Sequence, residues 1–270
     1  MKDIVANRDR LTTGTKIKLM GLSLRENGFL WTTAMGFYYV ASAVAEKSFA
    51  AADGMRQRRG LPGMNSPAMN RAIWNSWDWS AKGEEWSPSP EWKASVIGRI
   101  MRPHIRRGGD ILEIGPGGGR WTEELADGAR SLLGIDISEA AVENCRQRFK
   151  GLANATFRVG SGTDLSGVAD ASIDAVWSFD VFVHINREQF RAYVFEIKRV
   201  LKSGGVCIIQ HGTAGGATGG WRSNVTAEDV KRFVAEAGLV LVEQFSTWQD
   251  GGREFPAGLY NDAVTIFRKG

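Results

Sequence analysis

Cysteine is almost absent from this 270-residue sequence, which holds only Cys145 and Cys207. Two thiols cannot build the disulfide framework of a small secreted domain, and no compact cysteine and histidine spacing supports a structural zinc site. Both read as core thiols, one in a helix and one in a buried strand. Histidine is nearly as scarce: His104, His184 and His211 are the only three. Residues 1–25 are mixed and charged and lack the apolar centre and cleavage site of a leader, so a cytoplasmic setting is expected. The one stretch approaching a membrane span, residues 29–45, falls short of the roughly 20 apolar residues required. It also contains Thr32, Thr33, Tyr38, Tyr39 and Ser42, and reads as a buried or interfacial helix. No internal repeat is visible.

What is present is an ample supply of core-forming residues, 43% of the chain, enough for one large domain or a domain with an appendage. The net charge of +4 is unevenly placed. Residues 1–108 carry 17 Lys and Arg against 9 Asp and Glu, whereas residues 109–270 carry 17 against 21. Such a basic first part suits a nucleic-acid footprint. Its charges are scattered, however, as Arg56, Arg58, Arg59 and Arg102, Arg106, Arg107, without an aromatic-interleaved track, so a solvated helical surface is the reading and no nucleic-acid partner is expected.

Residues 30–56 are rich in Ala, Met and aromatics and free of proline, which predicts helix. It is broken at Gly60, Leu61, Pro62 and Gly63, and again at Asn65, Ser66 and Pro67. Residues 74–92 concentrate Trp74, Trp77, Trp79, Trp86 and Trp92 among Asp78, Glu84 and Glu85, a composition suited to a pocket rim or lid. An amphipathic helix follows over 91–105, with Val96, Ile97, Ile100 and Met101 inward. From Gly109 the pattern alternates. Strands are expected at 111–114, 131–135, 155–159, 173–178, 206–211, 239–245 and 263–267. Helices are expected at 121–126, 139–149, 187–201 and 227–237. The expected fold is therefore α/β, a doubly wound, seven-stranded, mostly parallel sheet over 91–270 with an N-terminal helical appendage over 1–90. The appendage would serve as a substrate lid, a homodimer surface or both, because its apolar run is costly to expose as one patch.

The most specific signal is residues 110–120, DILEIGPGGGR, a buried strand running into glycines and then a helix. Gly115, Gly117 and Gly119 allow a ligand to approach the backbone at the sheet edge where open α/β folds bind. Asp136 ends the next strand, 21 positions beyond Gly115, where a carboxylate accepts from both hydroxyls of an adenosine ribose. A dinucleotide fingerprint would need a small residue at position 120, and Arg120 opposes it. Glu113 within the strand is a polar cost unless a donor meets it.

These residues, with Gly162, Thr163, Asp164 and Leu165 and the segment 201–205, resemble the successive motifs of class I S-adenosylmethionine-dependent methyltransferases. The resemblance covers residues 91–270. It implies S-adenosylmethionine as cofactor, with Glu113, Gly115, Gly117 and Gly119 facing its methionine part. Asp136 would lie at the ribose and Asp164 with Leu165 at the adenine, Thr163 beside them capping the turn or joining the cofactor residues, among which Ile137 and Phe179 are also counted. The segments 179–184 and 220–223 and the tryptophan patch resemble more narrowly a bacterial small-molecule or sugar O-methyltransferase subgroup.

Methyl transfer to a hydroxyl needs an in-line geometry and a base. His184, after the fourth strand, is the first candidate base, the alternative being a hydrogen bond that holds the site together. His211, ending the next strand, is the second, and Asp180 is expected to orient a histidine, contact the ligands or cap a turn. Trp79 and Trp86 would stack on the acceptor, Glu84 and Glu85 would bind its hydroxyls, and Trp221 and Arg222 would complete the acceptor side. Arg222 there faces an acidic group or solvent. Asp180, His184 and His211 would also be the nucleus of a magnesium site if they converged. Two other classes compete with a small-molecule O-methyltransferase: an N-methyltransferase, and a non-catalytic adenosine-cofactor-binding interaction protein. A nicotinamide oxidoreductase is disfavoured by Arg120.

Overall fold

The computed structural model describes residues 12–213, 221–258 and 260–270; Gly220 of the segment 220–223 lies outside them. Two compact units divide at Leu61 and Pro62. The segment 62–90, assigned by sequence to the appendage, belongs to the second.

The first unit is built on α1, Thr13–Arg59. Thr12 caps it by accepting from the Thr15 amide, and Gly60 ends it in the left-handed conformation (φ 62°), its amide donating to the Gln57 carbonyl. The helix starts well before the expected residue 30, and it is interrupted at Gly28 (φ 78°, ψ 173°). There a hydrogen bond of 2.8 Å joins the Ser23 and Thr32 hydroxyls, nine residues apart, a pairing that a straight helix rising 1.5 Å per residue would not permit. Phe29, Leu30 and Phe37 are largely exposed. No helix among the described residues is long and apolar enough to cross a membrane.

The second unit is organised by a seven-stranded sheet of order β3-β2-β1-β4-β5-β9-β6. β1 (Asp110–Ile114), β2 (Ser131–Asp136), β3 (Ala155–Val159), β4 (Ile173–Ser178) and β5 (Leu201–Gly212) are parallel, whereas β9 (Asp262–Arg268) runs antiparallel between β5 and β6 (Val240–Phe245). The strands read as near-continuous apolar runs because helices cover both faces. One face packs Leu112, Ile114, Val176 and Ile209 against α6 (Arg187–Val200) and α7 (Ala227–Glu236). The other packs Ile111, Ala175, Trp177 and Ile208 against Trp92, Val96, Ile100 and Leu125. At about 1.5–3 kcal/mol for each fully buried large apolar side chain, these two layers are what hold the sheet rigid beneath its loops. Cys145, in α5 (Glu139–Arg148), and Cys207, in β5, are free and buried, and burial raises both thiols.

Three elements depart from the sequence reading. The helix expected over 91–105 is α3 (Pro90–Ser95), continuing as a π-helical turn over Val96–Met101. A short helix, α2 (Pro67–Asn75), was not foreseen, nor was the hairpin of β7 (Thr247–Asp250) and β8 (Arg253–Pro256). The remaining strands and helices of this unit stand within five residues of their expected bounds, β5 starting at Leu201 where 206 was expected and α4 being Thr122–Gly128. The chain leaves β1 towards β2 and β3 but leaves β4 towards β5, so the carboxyl ends of β1 and β4 flank a crevice at the topological switch point.

Candidate cofactor and acceptor site

The crevice opens into a cavity of about 460 Å³. Its floor is the turn after β1. Gly115 has φ 72° and donates to the Ile135 carbonyl at 2.8 Å, and a Cβ there would fall inside the side chain of Val181. Gly117 has φ 54°, and a Cβ on it would lie 2.8 Å from Trp79. Both positions therefore need glycine for conformation and for space. Asp136, at the end of β2, accepts from the Gly117 amide at 3.0 Å and the Ser138 amide at 2.9 Å. Burial raises its pKa, while these amides favour the charged form. Behind the turn, Glu113 is 1% exposed; one oxygen accepts from Thr122 at 2.7 Å and the other is buried without a partner. Burial, with Asp136 nearby, pushes it up to about 7.

The cavity brings together Gly115, Gly117, Asp136, Ile137, Phe179, Asp180, His184, Trp79, Trp86, Trp221 and Arg222. His184 closes a short turn after β4. Its Nδ1 lies 2.9 Å from the Trp221 carbonyl, an oxygen that only accepts, so Nδ1 carries the proton and Nε2 a free lone pair. The ring lies against Trp74 and Trp221, with centroids 5.3 and 5.4 Å away. Burial is the largest cause pushing it down to about 4. Asp180, at φ 61°, pairs with the buried Arg120, and Arg222 pairs with Asp262.

Several expected residues do not line the cavity. His211 is fully buried, with Nδ1 donating to the Gly212 carbonyl at 2.9 Å and Nε2 accepting from Thr265 at 2.7 Å. The reason is the two-residue period of a strand: Gln210 faces the site, accepting from the Asp180 amide and donating to Asp262. His211 turns to the opposite face, beside Phe190. Its replacement by alanine is expected to cost about 2–4 kcal/mol of stability, read by urea denaturation, through the lost volume and the lost acceptor for the Thr265 hydroxyl proton, that oxygen still accepting from Gln244. Ligand binding by the remaining folded molecules should be unaltered.

Gly119 packs against Phe149 instead of the cavity. Gly160 and Gly162 reach the cavity, whereas the side chains after them turn away. Thr163 bonds to Ser161, Asp164 accepts from Ser166, whose hydrogen bonds lower its pKa, and Leu165 is 1% exposed in the apolar layer. Glu84 pairs with Lys93 and Glu85 accepts from Trp77 at 3.1 Å, so these carboxylates brace the tryptophan segment. The magnesium candidates do not converge: among the described residues no three metal-ligating side chains come together.

The unforeseen contributions come from α2 and from β9. Arg71 donates to the Gly160 carbonyl, and Asn75 bonds Ser138 and Glu139, laying α2 across the ends of β2 and β3. Trp74 on α2 meets Trp77, Trp79, Trp86 and Trp221 at 5.4–6.0 Å. Asn65, Asn70, Gln189, Tyr260 and Asp262 complete the lining. Single amides on a short turn, on α2 and on α6, and a lone acid at the start of β9, carry no periodic signal by which a sequence could reveal them.

A family model described as a methyltransferase domain matches residues 111–205. The putative methyltransferase solved with the Trm112 methyltransferase activator of Haloferax volcanii superposes with a TM-score of 0.58 at 21% identity. That alignment covers 72% of this chain and 96% of the other. The fold is that of class I S-adenosylmethionine-dependent methyltransferases. A probable S-adenosylmethionine-dependent methyltransferase of Mycolicibacterium smegmatis is 37% identical over 107 residues, 39% of each chain. Phosphoethanolamine N-methyltransferase 1 of Caenorhabditis elegans is 27% identical over 127 residues, 47% of this chain and 26% of that one. The chain thus spans less than half the length of these relatives. Seen on this fold, the turn after β1 and Asp136 occupy the crevice where such sheets bind.

Proposed function

We propose that the chain transfers a methyl group from S-adenosylmethionine to a hydroxyl of a small molecule, with His184 assisting deprotonation. The observation that carries this reading is that one cavity holds both the glycine turn with Asp136 and a neutral histidine whose Nε2 is free. The residues fit the cofactor. The turn lines the cavity with bare backbone, held tight because a Cβ on Gly115 or Gly117 would strike Val181 or Trp79. Asp136 offers lone pairs to ribose hydroxyls, and the unpartnered oxygen of Glu113 behind the turn suits an ammonium or a water beside it. When bound, S-adenosylmethionine supplies an electrophilic methyl group. Nε2 of His184 takes the proton of the acceptor hydroxyl as its oxygen gains nucleophilicity. The indoles of Trp74, Trp79, Trp86 and Trp221 exclude water, and the Arg120–Asp180 pair fixes the loop after β4.

Labelled S-adenosylmethionine offered with a panel of hydroxyl and amine acceptors, followed by identification of the methylated atom, tests the proposal. The depressed pKa of His184 sets the pH behaviour. A histidine held at about 4 stays unprotonated well below the ordinary 6.5, so kcat/KM should hold from neutrality down to about pH 5 and fall only as pH approaches 4. A fall centred near 6.5 would contradict the buried, neutral ring. The same depressed basicity favours amine methylation as the second reading, since a neutral amine needs no dedicated base to attack. The exposed Phe29, Leu30 and Phe37 of α1 suit self-association of two copies through that helix.

A further inference from the structure

The cavity contains three amide side chains whose acceptor oxygens meet no donor. The orientation of two is forced by their neighbours. Asn70 donates through Nδ2 to the His184 carbonyl at 3.1 Å, and Asn65 donates to the Arg222 carbonyl at 2.9 Å. Carbonyls only accept, so the NH2 group of each amide must face them. Their Oδ1 atoms are left buried and unpartnered, on side chains only 8% and 2% exposed, and Oε1 of Gln189 is in the same state. Buried acceptors are normally paired, and three in one cavity are a demand for donors.

The charges of the same cavity carry a second message. Its charged lining residues, among those described, are Arg120, Asp136, Asp180, Arg222 and Asp262. Arg120 is taken by Asp180, and Arg222 is taken by Asp262, which is itself only 2% exposed. No described lining cation remains unpaired, and the acids outnumber the bases. The cofactor's own carboxylate already has to be accommodated here, so a second free acid on the acceptor would add negative charge with no cation left to meet it. Arg222, which the sequence offered to an acidic acceptor, is already committed. The remaining surface is aromatic: Trp74 and Trp221 lie stacked at 5.9 Å beside His184.

We propose that the acceptor is a ring-bearing molecule, uncharged or cationic, that presents at least two N–H or O–H groups to Asn65, Asn70 and Gln189 and carries no free acid. This assignment rests on the methyl-transfer reading and narrows it to a substrate class. The tryptophans cover the ring face, the amides meet its donors, and the paired arginines leave no cation for a second acid beside that of the cofactor.

Gln189 gives the cleanest test, because its side chain makes no hydrogen bond to another described residue that a variant would lose. Calorimetric titration of S-adenosylhomocysteine into the parent protein comes first; lack of binding there would remove the cofactor reading and this assignment with it. The loaded protein is then titrated with matched rings, glucosamine against glucuronate and tyramine against 4-hydroxyphenylacetate. The donor-rich, non-acidic member of a pair should bind at least about tenfold more tightly. Gln189→Leu should weaken that member by about 5- to 30-fold while leaving S-adenosylhomocysteine affinity unchanged. Preference for the acids, no binding of either non-acidic ring, or an equal loss of S-adenosylhomocysteine affinity in Gln189→Leu would overturn the acceptor assignment while the cofactor reading stands.

Discussion

Replacement of His184 by alanine is expected to lower methyl transfer by about 10²- to 10⁴-fold, the usual contribution of a positioned base, and to leave S-adenosylhomocysteine affinity within about threefold. The expectation follows from the tautomer. The Trp221 carbonyl holds the Nδ1 proton, so the ring enters the reaction with Nε2 ready to accept, and burial keeps it neutral at physiological pH. The lost interaction belongs to the transition state, so kcat and kcat/KM should fall together. Steady-state kinetics beside a binding titration separates this from a collapsed site, which would release the product analogue as well. If the fall is under about tenfold, the acceptor does not need His184 to remove its proton, and the amine reading takes precedence.

The second large effect is expected at Asp136. Asp136→Ala should weaken S-adenosylhomocysteine binding by at least about 10²-fold, since hydrogen bonds to a charged group contribute about 1.5–3 kcal/mol each and a ribose offers two. Asp136→Asn keeps one acceptor oxygen and should fall between. Thermal stability without ligand should change far less. Burial already penalises this carboxylate, so its removal relieves a desolvation cost that offsets the two amide bonds lost from Gly117 and Ser138. A titration showing near-parent affinity for Asp136→Ala would remove the cofactor assignment at the end of β2.

The order of the seven sheet strands, β1 to β6 and β9, was legible because buried strands are continuous apolar runs and the helices between them keep a 3.6-residue period. The glycine turn and Asp136 were legible for a different reason: backbone conformation and a fixed spacing restrict which residues can stand there. The acceptor side was not. His211 and Gln210 are neighbours at one strand end, and only the pleat determines that the glutamine turns towards Asp180 and Asp262 on the cavity wall. Thr163, Asp164 and Leu165 follow the glycines that reach the cavity, yet their side chains serve the turn and the apolar layer. Glu84 and Glu85 looked like ligand groups because nothing in the sequence reveals Lys93 and the Trp77 indole as their partners. Asn65 and Asn70 reach the site only through contacts with residues more than 100 positions away, which local pattern does not encode. The same holds for α2, whose nine residues are fixed by their bonds to the ends of β2 and β3.

The place of β9 has a consequence for synthesis on the ribosome. β6 precedes β9 in the chain but reaches the sheet only through it, for β9 lies between β5 and β6. At about 5–20 residues translated per second, β5 and β6 both wait with unpaired rims until residues 262–268 emerge, the interval in which a nascent sheet is most open to adventitious pairing. Asp262, the partner of Arg222, arrives at the same moment, so the binding cleft matures only when the final strand slides into place.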